Sequence, residues 1–299
     1  IKLNNFYKLY YLNRNILLLF IILAIMSLFY LLKLQTLKNP TKTAIVIDEK
    51  KYSYHELLKL VHKMIILFKK SGIKKNDIIL IFENNTLFHI LSLFTISYLN
   101  ITSVPLGTGY TFQQVKKFLK ITDANCIIGN VNYSKIFNKF KQIKIFINTD
   151  KIRLTKIKLK QNYLNNHKLR KIDLKKNYII SMTSGSTSDP KPLIYSQKTK
   201  ITRYKLFKKL YKIDKSDTII ITCPIATSLG MRLLFLPLLT GAKCIIMRKF
   251  NPNLYFDYIQ KHNVTFSALV PSQIDELVLQ SKKFENFYLK KRISFSLIK

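Results

Sequence analysis

The sequence of 299 residues is 48% hydrophobic, enough to bury one large core or two modest ones, which argues against disorder over most of its length. Its formal net charge of +36 would attract nucleic acid, anionic lipid or nucleotides, but lysine is spread along the whole chain, so a general drift in residue usage is the simpler explanation. The three cysteines, Cys126, Cys223 and Cys244, form no CxxC pair and leave one unpaired, which favours a reducing compartment over a disulfide framework and matches no zinc motif.

An apolar segment comes first, because residues 16–32 carry no charge and have basic residues on both sides. As a helix this segment would be roughly 25 Å long, a little shorter than a bilayer core of about 30 Å. Two interpretations stay open: a membrane anchor through 16–32, or an apolar first helix packed on the domain that follows. No small-x-small cleavage site follows, so a cleaved signal peptide is disfavoured. We expect a cytoplasmic location, with the domain on the cytosolic side if the segment spans a membrane.

From residue 39 onward, short β-like runs alternate with amphipathic helices, which predicts an α/β fold with mostly parallel sheets flanked by helices. Ser53 and Glu56 have the spacing of a capping box, and Gly72 supplies a stop, so a helix is predicted over 53–72. Further elements are predicted in the first half of the chain: strands at 77–82, 102–107 and 126–129, and helices at 87–100 and 111–121.

The most basic stretch, residues 135–176, interleaves lysine and arginine with aromatic residues, as a groove for single-stranded nucleic acid would. No RNP, KH or zinc-finger signature accompanies it. A solvated connector containing a few core strands is the simpler interpretation, and no specific nucleic-acid partner is predicted. Steeply salt-dependent retention on DNA or RNA would indicate otherwise.

The second half repeats the alternation of strands and helices. Asn251 and Pro252 occupy the cap and first-turn positions of the last helix. The predicted elements are strands at 178–183, 218–223, 244–247 and 265–270, and helices at 198–211, 229–239 and 253–262. Loops at the ends of such strands are where α/β sheets usually bind ligands.

The loop in "ISMTSGSTSDPKPLIYSQ", residues 180–197, has the composition of a phosphate cradle. Its backbone N–H groups can point at one anion, its hydroxyls add donors, and its lysine adds positive charge. The residues concerned are Thr183, Ser184, Gly185, Ser186, Thr187, Ser188 and Lys191. A Ser/Gly linker would share the hydroxyls but would rarely lie between a strand and a helix, and a Walker A loop is excluded because the chain has no Gly-Lys pair.

The segment "MTSGSTSDPKP" resembles the signature YTSGTTGxPKG of adenylate-forming ligases, the AMP-binding enzymes that include acyl-CoA synthetases, luciferases and peptide-synthetase adenylation domains. The resemblance extends over 39–299. It includes "NPTKTAIVIDEKKYSYHEL", "YLNITSVPLGTGYTFQQVKKFLKITDANCIIG" and "LFLPLLTGAKCIIMRKFNPNLYFDYIQKHNVTFSALVPSQIDELV", in the family's order.

The resemblance implies that a substrate carboxylate attacks the α-phosphate of MgATP, giving an acyl-adenylate and pyrophosphate, usually followed by transfer to coenzyme A. The loop from Thr183 to Lys191 would then hold the β- and γ-phosphates, with Thr187 and Lys191 as the strongest individual candidates. Ser188 and Pro192 stand where the family usually has glycine. A Cβ at Ser188 disfavours positive φ and would weaken the approach of phosphate, whereas Pro192 mainly stiffens the exit.

The block "CPIATSLGM" lies where acyl-CoA synthetases carry an aromatic residue and a histidine near the substrate. By resemblance, Ala226, Thr227, Val270 and Pro271 would line the substrate site; ordinary core packing is the alternative. No Asp or Glu occurs between positions 217 and 257, which disfavours an amine-bearing substrate and favours a neutral acyl or aryl acid. No histidine is assigned a role, and no metal site is predicted.

By resemblance, the sequence is expected to end just before the family's Gly-rich adenine-binding turn. By resemblance, the magnesium-binding glutamate, the ribose-binding aspartate and the catalytic lysine would lie beyond.

The expected layout is an apolar segment at 1–38, a first α/β subdomain with the basic connector at 39–175, and a second, incomplete subdomain at 176–299. We therefore expect the chain to be the N-terminal portion of the large domain and inactive alone, with a complementary chain as a possible partner. A non-catalytic remnant or a membrane-associated binding protein is the alternative.

Overall fold

The computed structural model describes residues 27–83, 86–107, 109–130, 140–159, 163, 172–183 and 191–280. In chain order the strands are β1 Thr43–Ile47, β2 Lys50–Ser53, β3 Ile78–Phe82, β4 Thr102–Leu106, β5 Cys126–Gly129, β6 Ile145–Asn148, β7 Asn177–Thr183, β8 Lys191–Ser196, β9 Thr218–Ile221, β10 Lys243–Ile246 and β11 Phe266–Ser267. The helices are α1 Leu28–Lys38, α2 Tyr54–Lys70, α3 Thr86–Leu99, α4 Phe112–Thr122, α5 Gln197–Leu210, α6 Ser228–Thr240, α7 Pro252–His262 and α8 Pro271–Leu279.

The strands form two mostly parallel sheets, which confirms the predicted α/β fold. One has the order β11-β9-β10-β1-β2 and the other the order β6-β5-β3-β4-β7-β8. Among the strand pairs formed by the described residues, only β1–β2 and β7–β8 are antiparallel. Parallel strands buried on both faces read as apolar runs, and this is why "IILIF" of β3 and "TIII" of β9 could be identified from sequence.

The strand pairing in the two sheets crosses residues 175 and 176, where a division was predicted. Strands β1 and β2 belong to the sheet of β9, β10 and β11, whereas β7 and β8 complete the sheet of β3 to β6. Each sheet therefore takes strands from both halves of the chain. The reason is that strand pairing is a long-range contact, such as Ile45 against Cys244, which local sequence patterns do not record.

The predicted helix at 53–72 is confirmed as α2 with its capping box. The Oε2 atom of Glu56 accepts from the backbone N of Ser53 at 2.7 Å, and the Oγ of Ser53 accepts from the backbone N of Glu56 at 3.1 Å. The hydrogen bonds that the backbone N–H and the Oγ of Ser53 donate to the carboxylate of Glu56 stabilise its ionised form and lower the pKa of Glu56. The predicted cap Asn251 of α7 also accepts from the first turn of its helix, and Thr111 does the same at the start of α4.

Strands β1, β2 and β8 and helix α8 were not predicted. The β1–β2 hairpin turns at Asp48 and Glu49, which both have positive φ, at 47° and 65°. Such turns usually carry Asn-Gly or Asp-Gly, so the turn signal in the sequence was weak. The predicted strand at 265–270 is shorter, because only Phe266 and Ser267 pair with β9.

The C-terminal part of the apolar segment is helix α1, which packs in the core. Residues 28 to 32 are all buried, and α1 lies against α2, α3 and α6. No helix among the described residues is both long and apolar enough to cross a bilayer. Residues 16–26 of the proposed membrane anchor lie outside the described residues. For residues 28–32, core packing replaces the anchor interpretation, because their apolar side chains are already covered by the domain.

Part of the basic connector also belongs to the core. Strand β6 pairs in parallel with β5, and the side chains of Ile147 and Leu154 are buried. The buried Nζ of Lys63, from α2, donates to the carbonyl oxygen of Leu154 at 2.7 Å and so ties the connector to the domain. The expectation of core strands inside this connector is confirmed for β6.

A buried amide joins three helices. The side chain of Gln197, at the start of α5, is 1% exposed. Its Oε1 accepts from Ser97 Oγ at 2.7 Å and from the backbone N of Leu28 at 3.3 Å, and its Nε2 donates to the carbonyl oxygen of Ser97 at 3.0 Å. The amide therefore links α1, α3 and α5.

Replacing Gln197 by leucine is expected to lower the free energy of unfolding by about 2 kcal/mol, because buried partners of the amide lose their hydrogen bonds. Urea unfolding followed by circular dichroism measures the change. Gln260→Leu, at an exposed position of α7, is the matched control and should change the stability little. Equal effects of the two substitutions would contradict the structural role of Gln197.

Candidate active site

The predicted phosphate loop joins the two strands of a hairpin. Strand β7 ends at Thr183 and strand β8 begins at Lys191, and these two residues are paired directly across the antiparallel ladder. Residues Ser184, Gly185, Ser186, Thr187 and Ser188 lie outside the described residues. The hairpin brings the two ends of the loop together, so its lysine lies beside its first threonine in the backbone register.

The hairpin ends at the carboxyl edge of the larger sheet. Strand β7 runs parallel to β4, which runs parallel to β3, so the residues after β3, β4 and β7 meet at one edge. Two side-chain hydroxyls of β4 form hydrogen bonds to the backbone of β7. Thr102 Oγ1 donates to the carbonyl oxygen of Asn177 at 2.8 Å, and Ser103 Oγ donates to the carbonyl oxygen of Tyr178 at 3.2 Å. The two ends of the loop therefore lie at the edge at which parallel sheets usually bind ligands.

Strand β8 between the loop and α5 was not predicted. It is the edge strand of its sheet, and the side chains of Leu193 and Ile194 are 44% and 56% exposed. Pro192 pairs with Met182 on this edge strand. Proline is tolerated at sheet edges because its missing N–H removes no central ladder bond, so the structure accommodates this departure from the family signature.

The predicted substrate residues Ala226 and Thr227 lie in the loop after β9. Thr227 is the N-cap of α6: its Oγ1 accepts from the backbone N of Gly230 at 3.0 Å and donates to the carbonyl oxygen of Pro224 at 2.8 Å. The hydroxyl of Thr227 therefore caps the N-terminus of α6, whereas only a role in lining the substrate site was predicted for it. Ala226 is half-buried beside it.

Val270 and Pro271 lie at the start of α8, after β11. The buried amide of Gln273 connects this point to the end of β9, because its Nε2 donates to the carbonyl oxygen of Thr222 at 2.9 Å and its Oε1 accepts from the backbone N of Val270 at 3.2 Å. Thr222 Oγ1 donates to the same Oε1 at 3.1 Å. Strands β9 and β11 are parallel neighbours, so this amide holds their two carboxyl-end loops together.

The candidate residues thus form two groups. Ala226, Thr227, Val270 and Pro271 follow adjacent strands of the smaller sheet, whereas Thr183 and Lys191 close a loop on the larger sheet. The structure brings the four substrate candidates to one sheet edge, as expected for residues that follow parallel neighbours. It places the ends of the phosphate loop at an edge of the other sheet.

Sequence reasoning missed Gly230 and Gln273. A Cβ at Gly230 would lie 2.1 Å from the carbonyl oxygen of Pro224 and 2.9 Å from the Cα of Ile225. Glycine is therefore required where the first turn of α6 approaches the preceding loop. A glycine inside a predicted helix is the signal that could have found this approach.

Burial shifts the pKa values of histidine and cysteine side chains among the described residues. Burial lowers the pKa of His89 to about 4 and raises the pKa of Cys126 to about 12 and that of Cys223 to about 11, so these groups are neutral near pH 7. Within the described ranges, no three or more His, Cys, Asp or Glu side chains cluster so as to hold a metal ion.

Comparison with known proteins supports the fold. A family described as "AMP-binding enzyme" matches residues 32–297. Among curated proteins, 4-coumarate–CoA ligase 3 of Arabidopsis thaliana is 26% identical over 234 residues, which cover 74% of this chain and 42% of that protein. This chain spans less than half the length of that ligase.

Solved structures share the fold. The N-terminal domain of FACL13 from Mycobacterium tuberculosis, in an inhibitor-bound structure, matches with a TM-score of 0.76 at 15% identity and covers 90% of this chain and 69% of that one. VinN in complex with L-aspartate matches with a TM-score of 0.80 at 14% identity and covers 92% of this chain and 70% of that one.

Proposed function

The chain belongs to the AMP-binding enzyme family, and we propose on that premise that the protein activates a carboxylic acid with ATP. In the proposed reaction a carboxylate oxygen attacks the α-phosphorus, the bond to the bridging oxygen breaks, and pyrophosphate leaves with that electron pair. The product is an acyl-adenylate. Transfer of the acyl group to coenzyme A is the proposed second step, supported by similarity to a plant CoA ligase.

The pairing of the two residues that flank the loop is the observation that supports this function best. Pairing of Thr183 with Lys191 closes the loop at the carboxyl edge of a parallel sheet and sets a lysine at its end. Phosphoryl transfer depends on positioning and on neutralising developing charge, and both are supplied by backbone N–H groups, hydroxyls and one lysine. Mg²⁺ would arrive with the ATP phosphates.

A neutral acyl or aryl acid is the proposed substrate class. The loops that carry Ala226 and Val270 contribute small or apolar side chains, and Gln273, the buried polar group between these loops, already bonds to Thr222 and to the backbone of Val270. An amine-bearing acid would require a carboxylate there to pair with its ammonium group. The sequence has no acidic residue from 218 to 256 that could do so.

Replacing Lys191 by alanine is expected to weaken ATP binding by roughly 10- to 100-fold, the effect of losing a charged hydrogen bond of about 1.5–3 kcal/mol. Titration calorimetry with MgATP measures this change. Lys205→Ala removes the same charge from an exposed position of α5 and should leave the affinity unchanged. Equal affinity in wild type and Lys191→Ala would contradict the assignment of Lys191.

Acid-dependent ATP–pyrophosphate exchange tests the reaction itself, and it is measured in the presence of the complementary C-terminal part of a related ligase, because this chain is expected to be inactive alone. A panel should contain fatty acids, aryl acids such as coumarate, and amino acids such as aspartate. Exchange with neutral acids supports the proposal, whereas exchange only with amino acids would contradict the proposed substrate class. Binding of ATP without exchange would favour a second candidate, nucleotide binding without turnover, which the Cβ of Ser188 in the phosphate loop supports.

A further inference from the structure

A pocket lies between helices α5 and α6. Its empty volume is about 330 Å³, including its open mouth. One face of each helix lines it, since the residues recur at helical spacing on both sides. The lining residues are Lys200, Arg203, Tyr204 and Phe207 of α5 and Ser228, Arg232, Phe235 and Leu236 of α6.

Three cations converge in this pocket without a counter-charge. Lys200, Arg203 and Arg232 form no ion pair with any carboxylate of the described part of the chain, in contrast to Arg248, which pairs with Asp48, and Lys261, which pairs with Glu49. Lys200 is buried, at 6% exposure. Its burial and the two arginines lower its pKa to about 8. A cluster of this kind carries a cost that an anion would relieve.

The other buried lysine of the described residues is stabilised differently. The Nζ of Lys63 donates to the carbonyl oxygens of Leu154 and Thr155. By contrast, the Nζ of Lys200 lies 4.1 Å from the ring centroid of Tyr195. An aromatic face attracts a cation, but unlike a carbonyl oxygen it does not accept hydrogen bonds from the ammonium group. The ammonium group of Lys200 therefore keeps donors available to a ligand.

Aromatic rings also hold the two guanidinium groups. The Cζ of Arg203 lies 4.8 Å from the centroid of Tyr195, and the Cζ of Arg232 lies 4.2 Å from that of Phe207. Stacking restricts these side chains, so less conformational entropy is lost when they bind an anion. Ser228 is the first residue of α6, where the helix dipole adds positive potential.

From this arrangement we propose that the pocket between α5 and α6 binds a phosphate group, held by Lys200, Arg203 and Arg232 with the hydroxyl of Ser228. Guanidinium groups offer paired donors that match phosphate oxygens, and the ammonium group adds a point charge. The apolar floor formed by Phe235 and Leu236 would accept the organic part of a phosphate ester. The group could belong to a soluble phosphate ester or to a lipid headgroup. This site is independent of the proposed ATP-binding loop.

Calorimetric titration with inorganic phosphate, at ionic strength held constant with NaCl, tests the site. Lys191→Ala protein is titrated in parallel, so that binding at the loop is separated from binding in the pocket. We expect saturable binding that survives Lys191→Ala and is weakened at least tenfold by Arg232→Gln or Lys200→Met. The control Lys205→Ala, which removes an exposed charge of the same helix, should bind like wild type.

Thermal unfolding distinguishes a ligand site from a structural role. Lys200→Met keeps the length and apolar character of the stem while removing the buried charge, so without phosphate its Tm should equal or exceed that of wild type. Phosphate should raise the Tm of wild type and of Lys205→Ala but not that of Lys200→Met. The proposal is overturned if phosphate raises no Tm beyond a chloride control, or if the increase persists in both pocket variants.

Vesicles identify the source of the phosphate group. Flotation with phosphatidic acid vesicles, compared with phosphatidylcholine vesicles, is measured for wild type, Lys200→Met and Lys205→Ala. Binding to phosphatidic acid vesicles but not to phosphatidylcholine vesicles, lost in Lys200→Met, supports a lipid headgroup as the ligand. Saturable binding of free phosphate without vesicle binding supports a soluble phosphate ester as the ligand. Vesicle binding that Lys200→Met leaves unchanged, together with no free-phosphate binding, overturns the proposal.

Discussion

Replacing Phe29 by alanine is expected to lower the free energy of unfolding by about 3–5 kcal/mol, the usual cost of deleting a buried aromatic ring. The side chain of Phe29 is fully buried in α1. Its ring centroid lies 4.8 Å from that of Tyr98 and 5.4 Å from that of His62, so it packs against α3 and α2. Deletion would leave a cavity where these three helices meet.

Leu37→Ala is the matched control for Phe29→Ala, because Leu37 lies on the same helix and is 59% exposed. Urea unfolding of both variants should show a large loss for position 29 and a change within about 0.5 kcal/mol for position 37. If Phe29→Ala were as mild as Leu37→Ala, α1 would not be part of the core. The comparison therefore tests whether this end of the apolar segment serves the domain rather than a membrane.

Replacing Gly230 by alanine is expected to lower the free energy of unfolding by about 3 kcal/mol, at the upper end of typical overpacking costs. The added Cβ would lie 2.1 Å from the carbonyl oxygen of Pro224, and the obstructing atoms are backbone atoms that no rotamer change can move. The start of α6 must shift away from the loop. That shift would also disturb Thr227, whose hydroxyl bonds to both Pro224 and Gly230.

Gly107→Ala provides the control, since a Cβ at Gly107 meets nothing within 4 Å. Denaturant unfolding should separate the two glycine variants clearly. Acid-dependent exchange, measured with the complementary C-terminal part of a related ligase present, should also fall in Gly230→Ala if the loop of Ala226 lines the substrate site, under conditions where the variant is still folded. Full stability of Gly230→Ala would contradict the close approach of helix and loop.

Local signals in the sequence were reliable where the interactions are local. The capping box of Ser53 and Glu56 and the proline start of α7 involve residues within one turn, so their patterns predict the structure directly. The resemblance to the family signature identified the loop between Thr183 and Lys191. The strand that follows this loop was missed, because "KPLIYS" contains a proline and pairs only at an edge.

The sequence by itself determined the α/β class, most of the central strands and helices, and the family to which the chain belongs. Only the tertiary structure decided that β1 pairs with β10, that α1 is buried among three helices, and that Lys200, Arg203 and Arg232 surround one pocket. The physical reason is distance along the chain. Periodicity and capping report contacts within a few residues, whereas burial and the convergence of charges depend on segments that meet only when the chain folds.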